Sequence, residues 1–538
     1  MSRSFAPYPF SPVVHPAVVP PLSDGVERVR HPVAIVGAGP VGLTAAIGLA
    51  LQGVRSVLIE ADDGVCAGSR AICISRRSLE IAHRLGALDG FLQIGLPWTG
   101  GRSYYRDAEV LHFSMPADDN QKLPPMVNLA QYHIEEILLR RAESLAEFMD
   151  IRWQTRLTAI DTSRQDGVGL SLASPAGDYA LHADWVVACD GGRSFIRESL
   201  GLKLEGASYE GRYVIVDILL DSTRPAERLA YFDPPCNPGS TVLVHKQPHG
   251  VWRIDYQLRD GEDPEEAVKP ENVMPRVESL LAMMGEAGDW NPIWITIYKA
   301  NALTMPDYRL GRVLFAGDAA HLVPIFGVRG ANSGIDDADN LAWKLGHVVQ
   351  GKAGQCLLDS YSAERVAAAR ENLFYGTKST EFMAPPSFAF DLMRTAVLGL
   401  ATRHAKLRSL INPRQTSPIA YVDSPLNGAS DGFSAGPAPG SVLPECQVGD
   451  GFLTELLGNG FVALYFGEEI DAPTLPCAVR VLPRACDHTG RLYPMYGASE
   501  GSLYLVRPDG HVLARWHDAC RADVNAALGH VLGESILS

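Results

Sequence analysis

The chain has 538 residues, more than one hydrophobic core normally organises, so two or three domains are expected. Its composition is that of an ordinary globular protein, and a formal net charge of −15 gives no general electrostatic reason to bind nucleic acid or an anionic membrane. Nine scattered cysteines without a CxxC pair indicate neither a disulfide framework nor a zinc cluster, and no metal site is expected. Residues 1–30 carry prolines at Pro7, Pro9, Pro12, Pro16, Pro20 and Pro21, which break helices and ladders, so this stretch is expected to be a flexible extension with order beginning at Val33. It has no basic flank ahead of an apolar core, no run of about 20 apolar residues follows, and a cytoplasmic location is the expectation.

Pro32-Val-Ala-Ile-Val-Gly37 reads as a short buried strand entering a glycine turn, 41–51 as a helix and 56–60 as a second strand, which together make a βαβ unit. The segments 150–172 and 179–188 alternate like strands, and 212–220, 240–245 and 251–258 continue that pattern. They predict an inserted, mostly antiparallel sheet over roughly 205–300. Residues 270–286 read as a helix, 312–316 as a strand, and 333–349 and 362–382 as helices. A Pro, Gly and Ser-rich stretch, 413–445, fits a linker, and 446–538 restarts a strand-and-helix pattern as a small α/β domain.

The segment Gly37-Ala38-Gly39-Pro40-Val41-Gly42 is GxGxxG between a strand and a helix. The first glycine makes the tight turn, the second admits a pyrophosphate, the third lets helix and strand pack closely, and the helix N-terminus offers N–H groups to phosphate. Glu60 ends the second strand, where an acid accepts hydrogen bonds from a ribose diol. This fingerprint alone does not choose between FAD and NAD. Two further segments do: Cys189-Asp190-Gly191-Gly192-Arg193-Ser194, and the long run from Gly317-Asp318-Ala-Ala-His321 through Pro324, Gly327, Gly330, Asn332, Asp337 and Asn340 to Trp343-Lys344-Leu345.

With these motifs the sequence resembles the class A FAD-dependent aromatic hydroxylases, the single-component phenol and hydroxybenzoate monooxygenases, from about residue 32 to 375. Ile325 departs from their pattern by replacing a second proline, and Val328-Arg329 stands where Gly-Gln or similar is common. The resemblance implies that Asp318 bonds the ribityl chain of FAD, that Pro324 packs near the reacting edge of the ring, and that Gly330, Ala331 and Asn332 present helix N–H groups to its pyrimidine end. It also implies FAD contacts for Arg70, Gln131, Leu157 and Asp190. No second GxGxxG follows a strand, so NAD(P)H is expected to bind transiently near the flavin. Arg76-Arg77 and Arg193 with Arg197 are candidates for a basic patch there, against solvated surface charge as the plain alternative.

Alternation along Val251-Trp-Arg-Ile-Asp-Tyr-Gln-Leu258 puts Val251, Arg253, Asp255 and Gln257 on one face and Trp252, Ile254, Tyr256 and Leu258 on the other. A strand of this kind supplies the hydroxybenzoate relatives with an arginine for the substrate carboxylate, which makes Arg253 a candidate, with a salt-bridged Arg253 as the alternative. Tyr231 and His245 are lesser substrate candidates. The C-terminal run from Tyr504 to Trp516 resembles the thioredoxin-like tail of phenol hydroxylase, and without CxxC it fits a structural or oligomerising role, such as a homodimer.

The fold class is therefore α/β: a Rossmann-like FAD domain with an inserted substrate sheet and a small thioredoxin-like domain. The implied activity is an NAD(P)H- and O₂-dependent monooxygenase that hydroxylates a phenolic or related aromatic substrate through a flavin C4a-hydroperoxide. Epoxidation or ring modification of a polyketide, antibiotic or N-heterocycle is a second reading, and a non-catalytic flavin-binding protein a third. No residue is named as the base that activates the substrate.

Overall fold

A computed structural model describes residues 4–69, 71–259, 261–411, 415–430 and 432–533, without the side chains of residues 210 and 211. Arg70 lies outside the described residues. The first sheet is built on the strands Val26–Val36, Ser56–Ile59, Met149–Arg152, Tyr179–Ala188 and Val313–Phe315, all parallel. Val33, Ala34 and Ile35 are fully buried, as a parallel strand covered by helices on both faces requires. Helix α1 (Pro40–Leu51) covers one face, and the antiparallel strands Arg156–Asp161 and Val168–Ala173 extend the sheet beyond Tyr179–Ala188.

Order begins well ahead of the expected Val33: the strand that carries it starts at Val26 and pairs antiparallel with Leu22–Ser23. The segment before it lies against the body rather than extending freely. Ala6 donates its N–H to the Pro292 carbonyl at 2.8 Å, Phe10 stacks on Tyr132 at 4.8 Å and His15 stacks on Trp153 at 4.7 Å. Aromatic residues between the prolines supply the contacts that a proline-based reading overlooks.

The second sheet contains eight strands, of which five carry the site: β1 (Glu205–Leu220), β2 (Arg228–Phe232), β3 (Thr241–Lys246), β4 (Val251–Gln257) and β5 (Trp290–Thr304). Their order is β5-β1-β4-β3-β2, antiparallel throughout, and Gly100–Tyr105 joins β2 in parallel. Trp252, Ile254 and Tyr256 pack against helix α2 (Pro270–Met284) through Val273, Val277 and Leu280. This is the apolar face that the alternation of 251–258 predicts, and it turns Arg253 and Asp255 the other way.

Helix α3 (Gly330–Val349) lies along α1, and helix α4 (Leu357–Met383) follows it. The smaller C-terminal sheet pairs Val462–Tyr465 with Ala478–Val481 in parallel and with Leu503–Val506 antiparallel, and Val512–Trp516 completes it. The preceding stretch is not a free linker. Gly428 and Gly440 donate N–H groups to Leu513 and Val512, covering the edge of that last strand.

A buried ionic cluster joins the two parts of the chain. Glu364 of α4 accepts from Arg507 at 2.7 and 2.9 Å, from Lys344 at 2.7 Å and from Asn340 at 2.7 Å. Asp509 accepts from Arg507 and from the Trp343 indole at 3.1 Å. Burial alone would raise the Glu364 carboxyl, but Arg507 and Lys344 hold it well below the usual range. Asn340, Trp343 and Lys344 at the end of the long motif therefore hold the C-terminal part of the chain.

Candidate active site

One cavity of about 420 Å³ runs from the first turn of α1 to the inner face of the second sheet. Its near end is backbone. Gly37 has φ +103°, and a Cβ there would stand 2.4 Å from the Cys189 carbonyl oxygen, so this turn excludes any side chain. Glu60 accepts the Ala38 N–H at 2.6 Å and the Asp62 N–H at 2.9 Å, which clamps the turn to the end of the second strand. Burial raises its carboxyl pKa, and these backbone bonds oppose the rise. Gly39, Pro40 and Val41 line the cavity, and no side chain caps the α1 N-terminus, so its first N–H groups remain for a ligand.

The N-terminus of α3 meets the same cavity through Gly330, Ala331 and Asn332, again without a side-chain cap. The Asn332 side chain is fully used. It accepts from Ser75 N–H at 2.9 Å and Ser78 Oγ at 2.7 Å, and donates to the Cys73 and Val328 carbonyls at 3.0 and 2.8 Å. Its backbone faces the cavity while its amide fixes the surrounding loops. Val328 carries φ +60°, a left-handed conformation that a β-branched residue adopts only under strain.

Asp318, Pro324 and Gln131 also line the cavity. Asp337 holds the loop bearing Asp318 and Pro324: it accepts from Gly317 N–H at 2.9 Å and pairs with His321 and Arg365, each at 2.6 Å. Asp190 accepts the Ile196 N–H at 3.0 Å, while its Oδ1 is buried with no partner among the described residues, beside the lining residues Gly191 and Gly192. Two uncapped helix N-termini beside a turn that excludes any side chain are what a dinucleotide's phosphates and ring would meet, so the residues present fit FAD.

The far wall is the second sheet. Arg228 of β2, His245 of β3, Arg253 of β4 and Asp217 of β1 stand side by side in register. Arg253 is bound by Asp217 through two bonds of 2.8 Å and donates to the Ser69 carbonyl. Burial would lower its guanidinium pKa, but Asp217 overcomes this and holds it above its ordinary value. Arg228 has no such partner: it is 4% exposed, lines the cavity, and makes no ion pair or side-chain hydrogen bond among the described residues. Burial lowers it to about 10. Burial, with Arg228 and Arg253 beside it, pushes His245 down to about 3, so that imidazole stays neutral at working pH. In the next row of the same face stand Leu243, Asp255 and Ile215.

Several expected site residues lie elsewhere. Tyr231 has the opposite parity to Arg228 on the same strand and stacks on Tyr104 at 4.9 Å in the core behind the sheet. Leu157 is buried in the core of the first sheet and does not line the cavity. Gly37, Ala38, Gly42, Glu60 and Asp190 shape the cradle from behind its lining. The expected basic patch does not form as such. Arg77 is buried against Asp336, Asp339 and the Asp509 carbonyl, Arg76 donates to the Leu123 and Pro116 carbonyls, and Arg197 donates to the Ala319 and Gly192 carbonyls. Sequence reasoning missed Arg228 and Asp217 altogether. Asp255 was visible only as a residue on the Arg253 face.

A dinucleotide cradle continuous with an enclosed polar wall on an antiparallel sheet defines a flavoenzyme of the monooxygenase class. Residues 30–374 match the family described as FAD binding domain. The 3-(3-hydroxy-phenyl)propionate/3-hydroxycinnamic acid hydroxylase of Escherichia coli is 32% identical over 536 residues, which cover 93% of this chain and 94% of that relative. The enzyme of the same description in Mycolicibacterium smegmatis is 30% identical over 438 residues, covering 80% and 76% respectively. The flavin-dependent monooxygenase PieE, solved with FAD and substrate, shares the fold with a TM-score of 0.78 at 23% identity, covering 94% of this chain and all of that one. The chain belongs to this FAD-binding family and is a flavoprotein monooxygenase of the aromatic-hydroxylase kind.

Proposed function

We propose that the protein hydroxylates a phenolic acid, an aromatic ring bearing both a hydroxyl and a carboxylate, with NAD(P)H and O₂ as co-substrates. The observation that carries this reading is Arg228, a buried guanidinium lining the cavity without a carboxylate partner among the described residues. Such a group is costly alone, and a ligand carboxylate would give it short, charge-assisted hydrogen bonds. Neutral His245 beside it adds a hydrogen bond without competing for the charge. The relatives named for hydroxyphenylpropionate and hydroxycinnamate, both carboxylates, support the same reading.

In this proposal Gly37, Ala38, Gly39, Pro40, Gly42 and Glu60 hold the adenosine diphosphate half of FAD. Gln131, Asp190, Asp318, Pro324, Gly330, Ala331 and Asn332 surround the ribityl chain and ring. When bound, FAD supplies hydride acceptance from NAD(P)H and oxygen activation. The chain's own work is to keep water out, to hold the carboxylate at Arg228 and to present the ring to the loop at Pro324. The test is NAD(P)H consumption and product formation by the flavin-loaded protein, comparing phenolic acids with the same phenols lacking the carboxylate. Arg228→Met should raise KM for the acids about 10–100-fold and leave the decarboxylated phenols nearly unchanged. Equal turnover of both substrate sets by the wild type would overturn the proposal, and turnover restricted to polycyclic substrates would favour polyketide-type chemistry.

A further inference from the structure

We propose that Asp255 is the catalytic base that takes the phenolic proton of the substrate. The inference rests on the reading of the substrate as a phenol. Asp255 sits on β4, two residues from Arg253 on the same face, and lines the cavity while 7% exposed. Its carboxylate makes no ion pair or side-chain hydrogen bond among the described residues, whereas the neighbouring Asp217 is wholly engaged by Arg253. Its cross-strand neighbours Leu243 and Ile215 are apolar and also line the cavity. Leu243 packs in one cluster with Phe326, whose ring meets Tyr213 edge-on at 5.3 Å. The Pro324–Phe326 loop therefore closes over the Asp255 end of the cavity, and Pro324 is the position that the family resemblance puts beside the reacting edge of the flavin.

Strand geometry sets the span between the two unengaged charges. Arg228 and Asp255 are two strands and two residues apart, so their Cα atoms are separated by roughly 12 Å. With both side chains reaching inward, that gap accommodates a ring and a short carboxylate arm, with the hydroxyl delivered to Asp255. The step is a proton transfer. The phenolic O–H bond breaks, its electron pair stays on the oxygen as a phenolate that activates the ring, and the proton moves to a carboxylate oxygen of Asp255.

The surroundings suit that task. The titratable groups facing Asp255 are Arg253 and Asp217 on the same sheet, Tyr213 of β1, and Cys73 across the cavity. Burial raises the Asp255 carboxyl to about 7, with Arg253 opposing the rise, which puts the base near working pH. His245 is pushed too low to hold a proton, and burial pushes the Cys73 thiol to about 12.

Asp255→Asn tests the assignment. Flavin content and binding of an O-methylated analogue should match the wild type. kcat for hydroxylation should fall about 10²–10³-fold, and phenols acidified by fluorine should recover most of that loss. In the wild type, kcat for hydroxylation should rise with pH through an apparent pKa near 7, a limb that Asp255→Asn should lack. An unchanged kcat in Asp255→Asn, an equal loss with fluorinated and parent phenols, or a pH–kcat limb near 7 that persists in Asp255→Asn would overturn the proposal. If the wild type hydroxylates phenols while any of these holds, only the base assignment falls; if the wild type hydroxylates no phenol, the substrate reading falls with it.

Discussion

At the scale of single residues, the site is decided by which side of a strand a side chain occupies. Arg228 and Tyr231 are three residues apart on β2, so one faces the cavity and the other the core. Sequence reasoning picked the tyrosine because its chemistry resembles a phenol contact, and the strand's parity reversed that choice. The same logic served well on β4, where alternation placed Arg253 and Asp255 together. What alternation does not reveal is pairing: only the register with β1 shows that Asp217 neutralises Arg253 and leaves Asp255 unengaged. This carries a stability consequence. An aspartate ionises near pH 4 in an unfolded chain and Asp255 near 7 in the fold, so the folded protein holds the extra proton between those values. Stability therefore declines as pH rises from about 4 to about 7 and stays lowered above that. Asp255→Asn should raise Tm relative to wild type at pH 8 and not at pH 4, by thermal melts at both values. The sign is opposite for acid. His245 is held neutral by burial, so the unfolded chain gains its proton first, and stability falls as pH drops from about 6.5 toward about 3. His245→Gln should flatten that limb of a pH–Tm curve.

At the scale of elements, the glycine turn and the α3 N-terminus were legible because their chemistry is written in backbone requirements. Gly37 admits no Cβ, and Gly37→Ala should yield protein that purifies without yellow flavin absorbance. The left-handed Val328 was legible only as a departure from the family pattern, since sequence does not print φ. Val328→Gly should relieve strain and raise stability by roughly 1–2 kcal/mol in urea titrations. The role of the Asn332 side chain was not legible for a related reason. Its position in the motif pointed only to its backbone N–H, while three of its four side-chain bonds, to Ser75, Ser78 and Cys73, depend on a segment more than 250 residues earlier.

At the scale of the whole molecule, the docking of the C-terminal unit was hidden because its partners are separated by long stretches of chain. Glu364 engages two cations and an amide at once, so Glu364→Ala leaves Lys344 buried and unpaired and leaves Arg507 with Asp509 alone. It should cost about 3–5 kcal/mol in denaturant unfolding. The docked N-terminal segment was equally illegible, because prolines signal only what a segment cannot form, while Phe10 and His15 find the distant rings of Tyr132 and Trp153. The parallel sheet and the inserted antiparallel wall were each read correctly from local pattern; the polar row of the cavity wall was not, because it is assembled by register across four strands. The most direct test of the account is hydroxylation under ¹⁸O₂ by the flavin-loaded wild type, with a phenolic acid and NAD(P)H. The account predicts one ¹⁸O atom in the ring-hydroxylated acid and one NAD(P)H consumed per product. NAD(P)H oxidation that yields only hydrogen peroxide with every phenolic acid, or product oxygen drawn from water, would contradict it.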